Sequence, residues 1–153
     1  MSKVVRVHQH GGPEELRTEE FNVGEPGPAE VRLKVEAIGL NRSEAMFRAG
    51  AYPVTPKFPT LIGYEGVGVI EALGPGVQGF TLGERVCVLP NFHLGEYGIY
   101  GEHAIVPVRS LLTPPKGLSA VEAASIWMQY FTALAIIEIA RAAVGDYVLI
   151  RAA

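Results

Sequence analysis

The chain has 153 residues, of which 48% are hydrophobic and 19% are charged, so it can fold as one domain of ordinary size or as one domain plus part of another. Thirteen Lys and Arg residues against sixteen Asp and Glu residues give a net charge of −3, which leaves no basic surplus for binding nucleic acid. The single cysteine, Cys87, excludes an internal disulfide and a multi-cysteine zinc site.

The first part of the chain is predicted to be rich in β-structure, because 18 glycines and 11 prolines indicate many turns. The clearest strand covers residues 31–37, where apolar and charged side chains alternate and the valines and leucine are expected to face inward. The remaining predicted strands, in chain order, start around Val4 and then cover residues 16–23, 66–72, 85–89 and 102–108.

Two segments between these strands have their own signals. Ser43 before Glu44 predicts the capped start of a short helix. Pro53, Pro56 and Pro59 predict an extended loop, since proline prevents regular structure.

From Ser119 the pattern becomes helical. Ser119 and Glu122 form a capping-box pattern, a second helix is expected over residues 130–142, and residues 147–150 form an apolar run typical of a buried strand. The sequence therefore predicts a mainly β domain over residues 1–118. Residues 119–153 are predicted to form a helix pair, projecting from that domain, and the first strand of an α/β unit.

Residues 123–140 form an 18-residue, mostly apolar stretch, but Gln129 and Glu138 would be costly inside a bilayer. A buried or domain-joining helix is expected there, not a membrane span. The first residues lack the features of a secretory signal, so the expected compartment is the cytoplasm.

Several ordered motifs resemble one family. The stretch of residues 63–77 (GYEGVGVIEALGPGV) is followed by Gly83-Glu84-Arg85-Val86, and residues 39–44, 50–53 and 145–150 agree in order and spacing. Together they resemble the medium-chain dehydrogenase/reductase superfamily, which includes zinc alcohol dehydrogenases, quinone oxidoreductases and enoyl reductases. The resemblance implies a GroES-like, partly open barrel that is followed by the start of a Rossmann domain.

The glycine-rich turn that holds the pyrophosphate in a Rossmann domain does not occur in this sequence. The 153-residue chain alone is therefore expected to hold a dinucleotide weakly and to be inactive. We expect it to be part of a longer chain or to form a homo-oligomer.

The resemblance also separates the zinc and zinc-independent branches. In zinc alcohol dehydrogenases a Cys and a His stand at the positions of Asn41 and Tyr64 in this sequence, next to a Glu that matches Glu65. One carboxylate cannot hold zinc, so no metal is expected, and Glu65 is interpreted as a structural carboxylate bonded to an Arg or to a backbone amide.

The zinc-independent branches imply hydride transfer from NADPH to a small-molecule acceptor such as a quinone or an enone. By resemblance, Tyr52 is a candidate catalytic residue, Asn41 a candidate catalytic and cofactor-binding residue, and Thr132 a candidate cofactor-binding residue. Because an ordinary phenol has a pKa near 10, Tyr52 is expected to stabilise an enolate by hydrogen bonding more than by full proton transfer.

A purely structural role remains an alternative for each of these residues: a helix cap for Asn41, a packed loop tyrosine for Tyr52, and a bond to a helix carbonyl for Thr132. For the whole chain, the alternatives are a non-enzymatic GroES-like binding module and a zinc alcohol dehydrogenase relative. Apolar side chains of the C-terminal segment are expected to be exposed in this chain; they are Trp127, Phe131, Leu134, Ile136, Ile137 and Ile139.

Overall fold

A computed structural model describes residues 1–149. In chain order, its strands are β1 (Ser2–Val7), β2 (Leu16–Phe21), β3 (Glu30–Ile38), β4 (Thr60–Leu61), β5 (Gly66–Leu73), β6 (Arg85–Val88), β7 (His103–Pro107) and β8 (Leu111–Leu112). The helices are α1 (Arg42–Arg48), α2 (Ala120–Ala124) and α3 (Trp127–Ala140). Strands dominate up to residue 112, so the predicted β-rich fold is confirmed.

The strands form two antiparallel sheets, one with the order β2-β1-β4 and one with the order β7-β3-β5-β6-β8. A bridge between Val4 and Gly101 links the first sheet to the chain just before β7. Apolar side chains from both sheets form a shared core, which includes Val7, Leu33 and Ile70. These two joined sheets make the barrel on which the site described below is built.

Strand β3 follows the alternation of its sequence. Val31 and Leu33 are fully buried and Val35 is half-buried, while Lys34 and Glu36 on the other face are exposed. Since successive side chains of a strand point to opposite faces, the alternation fixes which face meets the core. The prediction for residues 31–37 is confirmed.

Helix α1 begins two residues earlier than the Ser43 signal indicates, with Asn41 and not Ser43 at the cap position. Asn41 occupies the N-cap position with an extended backbone, yet its side chain makes no capping hydrogen bond. The Ser43 hydroxyl donates to Glu44 Oε2 instead, at 3.1 Å. The simple cap expected at this helix is therefore absent, because the side chain of Asn41 is bound elsewhere.

Helix α2 has the predicted capping box, in which Ser119 and Glu122 bind each other's backbone amides. It does not project from the barrel, however. Ala123 and Ala124 are buried against Val67 and Cys87, because their small side chains allow the helix to lie close to the sheet. The prediction that both helices project from the barrel is correct only for α3.

Helix α3 begins at Trp127, three residues before the predicted start, and all of its residues from Gln129 onward are exposed. The prediction of exposed apolar side chains is confirmed for five of the six named residues, while Trp127 is half-buried. In the part of the chain that the structure describes, no helix is both long and apolar enough to cross a bilayer.

The predicted strand over residues 147–150 does not form at residues 147–149, and Ile150 lies outside the described residues. A strand needs a neighbouring strand for its backbone hydrogen bonds, and residues 147–149 have no such neighbour among residues 1–149.

Candidate functional site

A largely apolar cavity of about 690 Å³ lies between the barrel and helix α3, and we call it the trough. On the barrel side it is lined by Tyr52, Tyr64 and Pro90. The other wall is a single face of α3, formed by Met128, Phe131, Thr132, Ala135, Ile136 and Ile139. Residues at this spacing lie on one side of a helix, so α3 presents a continuous wall.

Two tyrosine hydroxyl groups are the polar feature of the barrel wall. The Oη atoms of Tyr52 and Tyr64 are 3.2 Å apart and share a hydrogen bond. Tyr64 is buried and Tyr52 is half-buried, so the pair joins the interior of the barrel to the open trough. Tyr52 was a candidate from the sequence, whereas its contact with Tyr64 was not expected, because no local motif signals it.

The backbone around Tyr64 is tightly fixed. Gly63 has a φ of +107°, and a Cβ atom there would lie 2.3 Å from the ring of Tyr100. The Tyr64 backbone N–H donates to Glu44 Oε1 at 3.1 Å, and burial raises the pKa of this glutamate above its usual range. Gly63 and Glu44 therefore fix the point from which the Tyr64 ring extends.

The ring of Tyr64 packs against that of Phe92, with 5.6 Å between centroids, and the ring of Tyr52 lies 6.3 Å from that of Phe47. Both phenol groups are thus held by aromatic neighbours in the barrel.

Glu65 joins the barrel to α3. Its side chain is fully buried, and its Oε2 atom accepts hydrogen bonds from the backbone N–H groups of Trp127 at 3.1 Å and Met128 at 2.9 Å. These are two of the free N–H groups that every helix has at its N-terminus. Glu65 therefore acts as a remote cap of α3, in agreement with the structural interpretation given to it from the sequence.

Asn41 lies behind this junction and does not line the trough. Its Nδ2 donates to Glu65 Oε1 at 3.0 Å, and its Oδ1 accepts from Gln129 Nε2 at 3.2 Å. The amide therefore connects the loop after β3 to the first turn of α3. Gln129 was not identified from the sequence, because its contact with Asn41 spans most of the chain.

Thr132 does line the trough, opposite Tyr52. Its hydroxyl donates to the Met128 carbonyl at 2.7 Å, as the helix-carbonyl alternative predicted. The donated proton leaves the hydroxyl oxygen with lone pairs that can accept a hydrogen bond from a ligand. The structure thus brings Tyr52 and Thr132 to one cavity, with Asn41 one layer behind it.

The donor atoms around Glu65 do not suit a zinc ion. Within residues 1–149, no three His, Cys, Asp or Glu side chains converge. Both oxygens of Glu65 already accept hydrogen bonds, and its sequence neighbour Tyr64 supplies a phenol whose pKa is raised by burial and by the hydrogen bond with Tyr52. Cys87 is also buried, which raises the pKa of its thiol and disfavours the thiolate that a metal needs.

The fold and these motifs match a known family. Residues 27–116 match the model of the alcohol dehydrogenase GroES-like domain. The chain belongs to the alcohol dehydrogenase GroES-like domain family. The resemblance to the medium-chain dehydrogenase/reductase superfamily is confirmed, since this family's relatives include quinone oxidoreductases.

Among the relatives of this GroES-like chain is a 2-haloacrylate reductase from Burkholderia sp, which is 39% identical over 152 residues. A solved NAD-dependent alcohol dehydrogenase covers 94% of the chain with a TM-score of 0.84 and 32% identity. The Escherichia coli quinone oxidoreductase complexed with NADPH covers 88% of it with a TM-score of 0.77 and 26% identity.

The chain spans less than half the length of each of these proteins: 44% of the reductase, 49% of the alcohol dehydrogenase and 40% of the quinone oxidoreductase.

Proposed function

We propose that the protein is a zinc-independent oxidoreductase that uses NADPH to reduce an activated small-molecule acceptor, such as a quinone or an enone. The observation that carries this proposal is the trough, an apolar cavity with a pair of tyrosine hydroxyls on one wall. The relatives named 2-haloacrylate reductase and quinone oxidoreductase support the same class of acceptor.

The trough suits the nicotinamide end of the cofactor. Its apolar α3 wall offers Met128, Phe131 and Ala135 to a flat ring, and the Thr132 oxygen is free to accept a hydrogen bond from a carboxamide. We propose Thr132 as a cofactor-binding residue on this basis. When bound, the reduced cofactor supplies the hydride for the reaction.

Tyr52 is proposed as the catalytic residue. When an enone or a quinone accepts a hydride, its carbonyl oxygen gains the negative charge. The half-buried Tyr52 hydroxyl opens on the trough, where it can donate a hydrogen bond to this oxygen. The rest of the trough lining is mostly apolar, so few other groups compete for this oxygen.

We propose that Asn41 contributes to cofactor binding indirectly, by fixing the position of helix α3. By holding Glu65 and Gln129, it sets where α3 begins and therefore where Thr132 stands relative to Tyr52. The distance between hydride donor and acceptor depends on this alignment, to which reaction rates are sensitive.

The test is an acceptor panel assayed with the purified full-length protein by following NADPH absorbance. We expect turnover with benzoquinone, an unsaturated ketone and 2-chloroacrylate. Turnover should persist after dialysis against a chelator. Oxidation of simple alcohols that stops after chelation and returns with zinc would contradict the proposal. Absence of any NADPH binding would instead favour the non-enzymatic binding module.

A further inference from the structure

We infer that Tyr64 is a positioning residue that donates its hydroxyl proton to Tyr52, so that the proton of Tyr52 is directed at the acceptor in the trough. This inference rests on the proposed function and adds a second residue to the same site.

The geometry supplies the contact. The two hydroxyl oxygens are 3.2 Å apart, and both tyrosines line the trough. Tyr64 is 6% exposed, and its ring is wedged beside Phe92. Its hydroxyl therefore has little freedom to turn toward another partner.

The direction of the bond follows from the surroundings of Tyr64. Burial raises the pKa of the Tyr64 phenol, and the hydrogen bond with Tyr52 raises it further, so this phenol keeps its proton. Among residues 1–149, the Tyr52 oxygen is the hydrogen-bond partner that the structure gives the Tyr64 hydroxyl. A buried O–H group without an acceptor is costly, whereas the half-buried Tyr52 hydroxyl can turn to the trough, so the Tyr64 proton is assigned to Tyr52.

Tyr52 then has one fixed bond and one free proton. With a lone pair occupied by the Tyr64 proton, its O–H bond is left to rotate toward the trough, where no side chain of residues 1–149 accepts it. A hydroxyl that accepts a hydrogen bond also donates more strongly, because the two bonds polarise each other. Tyr64 therefore orients the Tyr52 hydroxyl toward the trough and makes it a stronger hydrogen-bond donor to the oxyanion that develops there.

The experiment compares Tyr64→Phe, Tyr52→Phe and the double variant in full-length protein that reduces an enone with NADPH. We expect Tyr52→Phe to lower kcat about a hundredfold. Tyr64→Phe should lower kcat about tenfold, with KM nearly unchanged, since one hydrogen bond that matters in the transition state is lost. Because Tyr64 acts through Tyr52, the double variant should be no slower than Tyr52→Phe alone.

Tyr97→Phe is the matched control. It removes another half-buried tyrosine hydroxyl, which donates to Glu30 Oε1 at 2.7 Å and does not line the trough. Its kcat should match that of the unmodified protein. A Tyr64→Phe variant as active as this control, or a similar loss in both backgrounds, would overturn the inference.

A spectroscopic arm does not depend on activity. The buried Tyr64 hydroxyl proton should give a slowly exchanging proton resonance that vanishes in Tyr64→Phe and moves in Tyr52→Phe. If none of the acceptors is reduced, the proposed function fails while this resonance still reports the hydrogen bond. If the chemical shift of the Tyr64 resonance is the same in Tyr52→Phe as in the unmodified protein, the inference is overturned, whatever the protein catalyses.

Discussion

Glu65 and Met128 are joined by a 2.9 Å hydrogen bond from the Met128 backbone N–H to the Glu65 carboxylate. This bond makes a side chain of the barrel part of the start of α3. Glu65 also accepts from Trp127 and Asn41, so one buried carboxylate satisfies three donors. The barrel and the wall of the trough are therefore coupled through this carboxylate, beside the contact of Asn41 with Gln129.

The first prediction concerns this junction. Glu65→Ala should lower the free energy of unfolding by about 3 kcal/mol, because it leaves buried donors without acceptors. Glu65→Gln should cost less, because its amide oxygen can still accept from the helix. Urea unfolding of the three proteins measures the difference, and an alanine variant as stable as the unmodified protein would exclude the cap.

The second prediction concerns pH and Glu44. Burial raises the folded-state pKa of Glu44 above 4.5, the value of the group in the unfolded chain. The folded state then holds the proton more tightly than the unfolded state does. The contribution of Glu44 to stability therefore decreases as pH rises from 4.5 through the folded-state pKa.

Glu44→Gln cannot ionise, and its amide oxygen can still accept from the Tyr64 N–H. It should therefore be more stable than the unmodified protein at neutral pH, and the gap should shrink toward pH 4.5. Urea unfolding at both pH values tests this. A gap that widens on acidification would mean that the glutamate is favoured in its charged form.

The third prediction separates backbone strain from crowding. Gly63 and Gly76 have φ values of +107° and +77°, but only Gly63 faces a ring, that of Tyr100, where a Cβ atom would stand. Gly76→Ala should cost about 1 kcal/mol from its backbone conformation alone. Gly63→Ala should cost about 3 kcal/mol or more, since the Tyr100 ring must also move. Equal losses would show that Tyr100 adapts freely.

The fourth prediction concerns the face of α3 turned away from the trough, formed by Tyr130, Leu134 and Ile137. These apolar side chains are exposed in residues 1–149. Expressed alone, the 153-residue chain should self-associate through this face. The double variant Leu134→Lys/Ile137→Lys should shift sedimentation toward the monomer. The control Glu138→Lys, on the same helix and with the same change in net charge, should not.

Local sequence patterns predicted the local structure well. The alternation around Leu33 located β3, and Ser119 with Glu122 located the start of α2, because each signal depends on neighbours in the chain. The start of α3 was predicted three residues too late, since its cap comes from Glu65, more than sixty residues away.

In the candidate site, too, local motifs could be predicted but contacts between distant residues could not. Tyr52 and Thr132 were named from motifs and do share a cavity, but their working partners were not visible in sequence. Tyr64 was seen only as a replaced zinc ligand, and the contact of Asn41 with Gln129 exists only after folding. Side chains that meet across the fold leave no periodic signal, so these pairings required the structure.

The Glu65 junction also determines how the trough can open. The first turn of α3 moves with the barrel as long as Glu65 holds Trp127 and Met128. A swing of the helix wall away from Tyr52 therefore has its pivot beyond Met128. At the far end of α3, Arg141 adopts a left-handed conformation with φ of +52°, and Gly145 follows with φ of +100°. Arg141 thus closes α3 as a left-handed cap, more than three turns away from the first turn that Glu65 holds.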